Sequence, residues 1–205
     1  TIELGSLEAD PGEAGTSASL IRGVCAGFVQ AGVKIGGFDA YTTSDVLSGS
    51  GLSSSAAFEV LLGTIIDKQY NGRAGAVEIA KIGQFAENKY FGKASGLMDQ
   101  MVSSVGGFVY IDFKEPAEPE IRSVEFDFSA SGYSLCITDT KGSHADLTPD
   151  YSAVSAEMMS VAKALGSEVL RNADEEEFYA KLPELRKVCT DRALLRAAHF
   201  FDENR

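Results

Sequence analysis

Apolar residues along the chain change period several times, and each change predicts an element. After Thr16, the positions Leu20, Ile21, Val24, Cys25, Phe28 and Val29 form a helical stripe that ends near Gly32. Gly36 to Tyr41 then alternates as a strand does. Ala57, Val60, Leu61 and Ile65 recur at helical spacing up to the turn signal Asn71-Gly72. Val77, Ile79, Ala80, Phe85 and Ala86 predict a third helix from Ala74 to about Tyr90, closed by Gly92, and a short helix follows over Met98 to Val105. Beyond Gly106-Gly107 the segments FVYIDF, SVEFDF and YSLCITDT read as strands, the last apolar enough to be central, with Pro116 and Pro119 marking a turn between the first two. From Tyr151 onward the chain reads as helical. Strands and helices interleave and then give way to a helical tail, which predicts an α+β class.

The segment between the predicted strand and the second helix is SGSGLSSSAAFEV, Ser48 to Val60, whose first eight residues hold five serines and two glycines. A flexible linker and an anion-binding loop both have this composition. A linker has no reason to interrupt a strand-to-helix pattern, and a helix cap needs one serine. A helix N-terminus presents unpaired amides and the positive end of the helix dipole, so a phosphate there satisfies donors that otherwise lack partners. Gly49 and Gly51 leave room for an oxygen to approach the backbone, while Ser53, Ser54 and Ser55 add hydroxyls, one of them suited to a magnesium ion. The loop lacks the spacing and lysine of a Walker A motif, and the third glycine and acidic residue of a dinucleotide fingerprint.

Charge sharpens that choice. A net charge of -12 and a pI near 4.6 exclude a broad basic footprint for nucleic acid, so an anionic ligand has to be held locally by backbone amides and a metal. The densest acidic run, Asp174 to Glu177, reads as a capped first helical turn. No apolar run is long enough for a membrane span and Thr1 opens a polar segment without a signal pattern, which leads us to expect a cytoplasmic protein. Cys25, Cys136 and Cys189 are odd in number, widely spaced and set in apolar segments, which predicts buried free thiols.

A second stretch, FAENKYFGKASGLMDQM, places Glu87 late in one helix and Asp99 at the start of the next, with a glycine-containing turn between them. Magnesium beside a nucleotide takes only one or two carboxylates, so Glu87 with a loop serine is a sufficient protein share. Asp99 is then available to the hydroxyl that attacks the phosphorus. Exposed acids on helices more often serve solvation, and spacing alone does not separate the two readings.

Together, SGSGLSSSAAFEV and Glu87 followed by GLMDQ resemble the galactokinase branch of the GHMP kinases, and the likeness extends through FDAYTTSDV and HADLTPDYSAVSAEMMSVAKALG. The resemblance implies a GHMP kinase fold, with a partial ribosomal-protein-like ATP-binding N-terminal domain over 1–129 and the start of the C-terminal domain over 130–205. It implies that Gly49, Ser50, Gly51, Leu52, Ser53, Ser54 and Ser55 line the ATP phosphates, that Ser55 and Glu87 ligate Mg2+, and that Asp99 is the catalytic carboxylate facing the sugar. Gly96 and Tyr151, with Asp99, would contact galactose. The implied reaction transfers the γ-phosphoryl group of ATP to the anomeric hydroxyl, giving galactose 1-phosphate.

The family's N-terminal Pro-Gly-Arg and Gly-Glu-His-Thr-Asp signature and its glycine-rich C-terminal motif are absent, and His144 and His199 have unsuitable neighbours. The chain therefore reads as an internal piece of a longer kinase, without the arginine that pairs with Asp99, and is expected to turn over little by itself. Strands missing from such a piece would expose sheet edges and favour self-association. Two other readings share these motifs: a sister GHMP kinase acting on another small alcohol, and a non-catalytic sensor of galactose and ATP. Retention of Ser55, Glu87 and Asp99 argues against the sensor.

Overall fold

The computed structural model describes residues 2–46, 51–115, 117–138 and 148–204. Its contacts divide the chain into two compact units, Thr1–Ala145 and Asp146–Arg205.

In the first unit three helices build the core. Helix α1, Ser17–Gln30, starts where the Thr16 hydroxyl accepts a hydrogen bond from the Ser19 amide. Helix α2, Ser54–Gln69, ends at a turn in which Asn71 adopts a left-handed conformation, φ 52°. Helix α3, Gly75–Ala86, runs into a π-helical turn over Glu87–Phe91, and Gly92 at φ 83° stops it. Helix α4, Met98–Val105, follows. Val24, Cys25, Phe28, Val60, Ile66, Ile79 and Ile82 interlock between α1, α2 and α3. The helices approach closely because α1 carries glycine at the crossings: a Cβ on Gly23 would lie 2.7 Å from Ala86 Cβ, and one on Gly27 would lie 2.7 Å from Ile82 Cγ2.

The N-terminal segment is fastened to this bundle by polar contacts. Arg22 donates to both Glu13 carboxylate oxygens at 2.8 Å and to the carbonyls of Glu3 and Ser6, and the Tyr90 hydroxyl donates to the Leu7 carbonyl at 2.6 Å. After α4, strands β1, Phe108–Asp112, and β2, Glu120–Val124, form an antiparallel hairpin with Phe108 opposite Val124 and Asp112 opposite Glu120. Phe126 and Phe128, the latter opening the short α5, Phe128–Ser131, stack edge-on at 4.8 Å beside Phe108.

In the second unit α6, Thr148–Ala164, packs on α9, Asp191–Glu203, and two short helices, α7, Glu175–Ala180, and α8, Leu182–Leu185, complete it. Val161, Phe178, Leu194, Ala197 and Phe201 form its core. Asp174 caps α7, accepting from the Glu177 amide at 2.8 Å, as the acidic run predicts.

Five expectations are corrected. Gly36 to Tyr41 is not a strand, because nothing among the described residues pairs with it. The second hairpin strand lies over Glu120–Val124 rather than SVEFDF, and the described part of YSLCITDT carries no ladder and leaves Tyr133, Leu135 and Ile137 exposed, so it is not central. Of the cysteines, only Cys25 is buried; Cys136 is exposed and Cys189 half-buried, and all three are free thiols. The buried stripe of α2 is also turned from the expected one: Ala56, Glu59, Val60, Gly63 and Ile66 face inward and Leu61 is 41% exposed.

Candidate functional site

The N-terminus of α2 is unusual. Its capping residue, Ser53, sits in the left-handed region at φ 57° and ψ 45°, a conformation that costs a residue with a Cβ of order 1 kcal/mol or more, and its side chain does not cap the helix. The hydroxyl turns outward instead and donates to Asp99 Oδ2 at 2.7 Å, linking residues 46 positions apart. Two positions on, the Ser55 hydroxyl donates to Glu87 Oε1 at 2.8 Å. The two serines and two acids singled out in the sequence therefore meet in pairs at one helix end.

Glu87, at φ -63° and ψ -45°, continues the α register of α3 and faces inward to α2, while Tyr90 in the π-helical turn reaches the N-terminal segment. Glu87 is 2% exposed. Burial pushes its pKa up, but hydrogen bonds from Ser95, Lys93 and Ser55 together outweigh burial and hold the carboxyl below its usual range, so it is an anion at neutral pH. Lys93 Nζ stands 2.9 Å from the same Oε1. Glu87 Oε2 accepts from Gln100 Nε2 at 2.8 Å, and that amide group also donates to Glu59 Oε2 at 3.0 Å.

Glu59, Glu87 and Gln100 thus form a polar string buried between α2, α3 and α4. Gly83 leaves space for it: a Cβ there would lie 3.2 Å from both Gln100 Cγ and Glu59 Cβ. Burial raises the Glu59 pKa to about 8, with the Gln100 hydrogen bond opposing and the Glu87 charge adding to the rise, so Glu59 is a neutral acid at pH 7. The loop that brings Asp99 into place is pinned by Asn88, whose Oδ1 accepts from the Ser95 amide at 2.8 Å, and by Gln84, whose Nε2 donates to the Ser95 carbonyl at 3.1 Å.

The remaining expected site residues distribute as follows. Gly51, at φ 80°, and the half-exposed Leu52 lead into Ser53, and Ser54 is the first residue of α2. Gly96 is exposed in the loop before α4, with open space where a side chain would project. Gly49 and Ser50, like His144, lie outside the described residues. Tyr151 is on the first turn of α6 in the second unit, and 56% exposed. The sequence reading missed Glu59, Gln100 and Lys93. A charged residue in the inward register of α2 is the signal that finds Glu59, and Gln100 follows Asp99 directly.

Ser55 and Glu87 fit a magnesium ion. A hydroxyl and a carboxylate, held together here by a 2.8 Å hydrogen bond, are hard oxygen donors of the kind magnesium takes. One hydroxyl and one carboxylate leave the other positions to water and phosphate oxygens, the usual arrangement beside nucleotides.

Residues 19–107, which carry both hydroxyl–acid pairs, match the model of the GHMP kinases N terminal domain. The helices and the small two-stranded sheet of the first unit are consistent with a partial α+β GHMP fold. The chain is 31% identical to a galactokinase from Streptomyces coelicolor over 98% of its own length and 52% of the relative's. It is 34% identical to one from Actinobacillus pleuropneumoniae over 82% and 43%, and 29% identical to one from Thermotoga petrophila over 90% and 50%. The chain spans about half the length of the curated relatives it matches. Among the described residues no helix is long and apolar enough to cross a membrane.

Proposed function

We propose that the protein carrying this chain is a cytoplasmic galactokinase, transferring the γ-phosphoryl group of ATP to the anomeric hydroxyl of galactose. The observation that carries this reading is the pairing of Ser53 with Asp99 and Ser55 with Glu87 at the opening of α2. Amides of the first turn of α2 hold phosphate oxygens, an interaction favoured by the helix dipole. Magnesium on Ser55 and Glu87 would neutralise charge that develops on the transferring group.

Asp99 is exposed at the mouth of the loop and already accepts a hydrogen bond from a hydroxyl. A sugar hydroxyl in place of Ser53 finds the same acceptor, which orients it and takes up its proton as the phosphorus–oxygen bond forms. Gly96, without a side chain, leaves room for a hexose ring next to Asp99.

The experiment is a product assay with ATP, Mg2+ and a panel of sugars and small alcohols, using the protein carrying this segment. Galactose 1-phosphate formed by the unaltered protein, and reduced at least about 10²-fold by Asp99→Asn, is the expected result. Phosphorylation of mevalonate or homoserine without galactose would move the reading to a sister kinase, and tight binding without product to a sensor. For the 205-residue chain by itself the expectation is binding with little turnover.

A further inference from the structure

We propose that Lys93 is a resident counter-cation of the metal site: its ammonium occupies the Glu87 oxygen until a divalent ion displaces it. The proposal rests on the reading of Ser55 and Glu87 as metal ligands. Glu87 is only 2% exposed, and Lys93 Nζ stands 2.9 Å from its Oε1, placing a counter-charge against a carboxylate that would be costly to bury alone. Its two oxygens are engaged unequally. Oε2 receives one neutral amide hydrogen from Gln100, whereas Oε1, the oxygen shared with Ser55, also receives the only full positive charge within contact distance among the described residues.

The backbone builds this contact as well as the side chain. Gly92 at φ 83° reverses the chain, and the Lys93 amide donates to the Glu87 carbonyl at 3.2 Å, so residue 93 folds back on residue 87 twice. A divalent ion on Oε1 and an ammonium 2.9 Å from the same oxygen repel each other, so the two exclude one another. Lys93 has somewhere to go: its side chain is 43% exposed, and a four-carbon stem reaches solvent or an incoming phosphate by rotamer changes alone. The consequence is a site whose serine–glutamate pair stays assembled without metal and whose affinity for metal alone is held down.

The test is a titration of the 205-residue chain with Mn2+ alone, followed by the paramagnetic signal of the free ion, together with thermal melts with and without Mn2+. Lys93→Met is expected to bind Mn2+ about tenfold more tightly than the unaltered chain, to melt lower without metal and to gain more from Mn2+. Lys93→Arg keeps the charge and is expected to stay within about twofold. Lys89→Met removes an exposed charge four residues away and is expected to do the same, which separates displacement from a general field effect. If Lys93→Met does not fold without metal, refolding in Mn2+ supports the proposal, and failure to refold contradicts it. Equal affinities of Lys93→Met and the unaltered chain, with binding lost in Glu87→Gln, overturn the proposal and leave the metal site standing. Equal tightening by Lys93→Met and Lys89→Met also overturns it. Binding that Glu87→Gln does not change, or no binding by any variant, removes the metal site and the proposal together.

Discussion

Replacing Glu59 by glutamine makes stability independent of pH where the natural protein is sensitive to it. Glu59 is completely buried, and its pKa of about 8 stands well above that of a carboxyl in an unfolded chain, about 4.5. Between those values the folded state binds a proton that the unfolded state does not. The sign follows: stability from the neutral acid is fully present below pH 4.5 and is lost as pH climbs through 8. A gap of this size corresponds to a loss on the order of 4 kcal/mol at alkaline pH. Glu87 acts oppositely, since its depressed pKa makes its contribution disappear only in more acid solution, outside the window from pH 5 to 9. Glutamine at 59 still accepts from Gln100 but buries an amide hydrogen where Glu59 Oε1 has no partner, a cost of about 1 kcal/mol. Urea denaturation at several pH values is the assay. Glu59→Gln is expected to match the unaltered chain within about 1 kcal/mol at pH 5 and to exceed it by several kcal/mol at pH 9. Two parallel stability profiles would refute the assignment of a neutral buried acid.

Gly23→Ala is expected to destabilise the first unit by about 2 kcal/mol in chemical denaturation, because the clash with Ala86 exceeds the helix-propensity gain of roughly 1 kcal/mol. Ser55→Ala is expected to weaken Mn2+ binding about tenfold, read by calorimetry, with little change in melting temperature. Ser53→Ala, which removes a hydroxyl from the proposed phosphate-holding loop, is expected to slow phosphoryl transfer about tenfold in the product assay while leaving the fold intact. Unpaired segments at Gly36 to Tyr41 and 133–138 support self-association, so sedimentation at tens of micromolar is expected to show species larger than a monomer.

The helices and the candidate site were largely legible in the sequence, because their signals are local. Thr16, Gly92 and the Asn71-Gly72 turn act through their own backbone and neighbours, and the ends of α4 coincide with the expected Met98 to Val105. The failures are of another kind. An alternating segment becomes a strand only when another strand pairs with it, and neither Gly36 to Tyr41 nor Tyr133 to Ile137 has a partner among the described residues. The same absence leaves Cys136 exposed. In α2 an acid occupies an inward position, so a reading by hydrophobicity turned the helix toward Leu61 and overlooked Glu59. Lys93 was illegible because its role depends on the fold-back at Gly92, which periodicity does not report.

The central claim is that the first turn of α2 holds a triphosphate tail while Asp99 faces the acceptor alcohol. Backbone amide NMR of the 205-residue chain tests it without requiring turnover. Added Mg2+ and a non-hydrolysable ATP analogue are expected to shift the amides of Gly51 to Ala56, and galactose added afterwards those of Gly96 to Gln100. Saturating nucleotide that leaves the opening of α2 unperturbed, or shifts confined to other surfaces, would contradict the account.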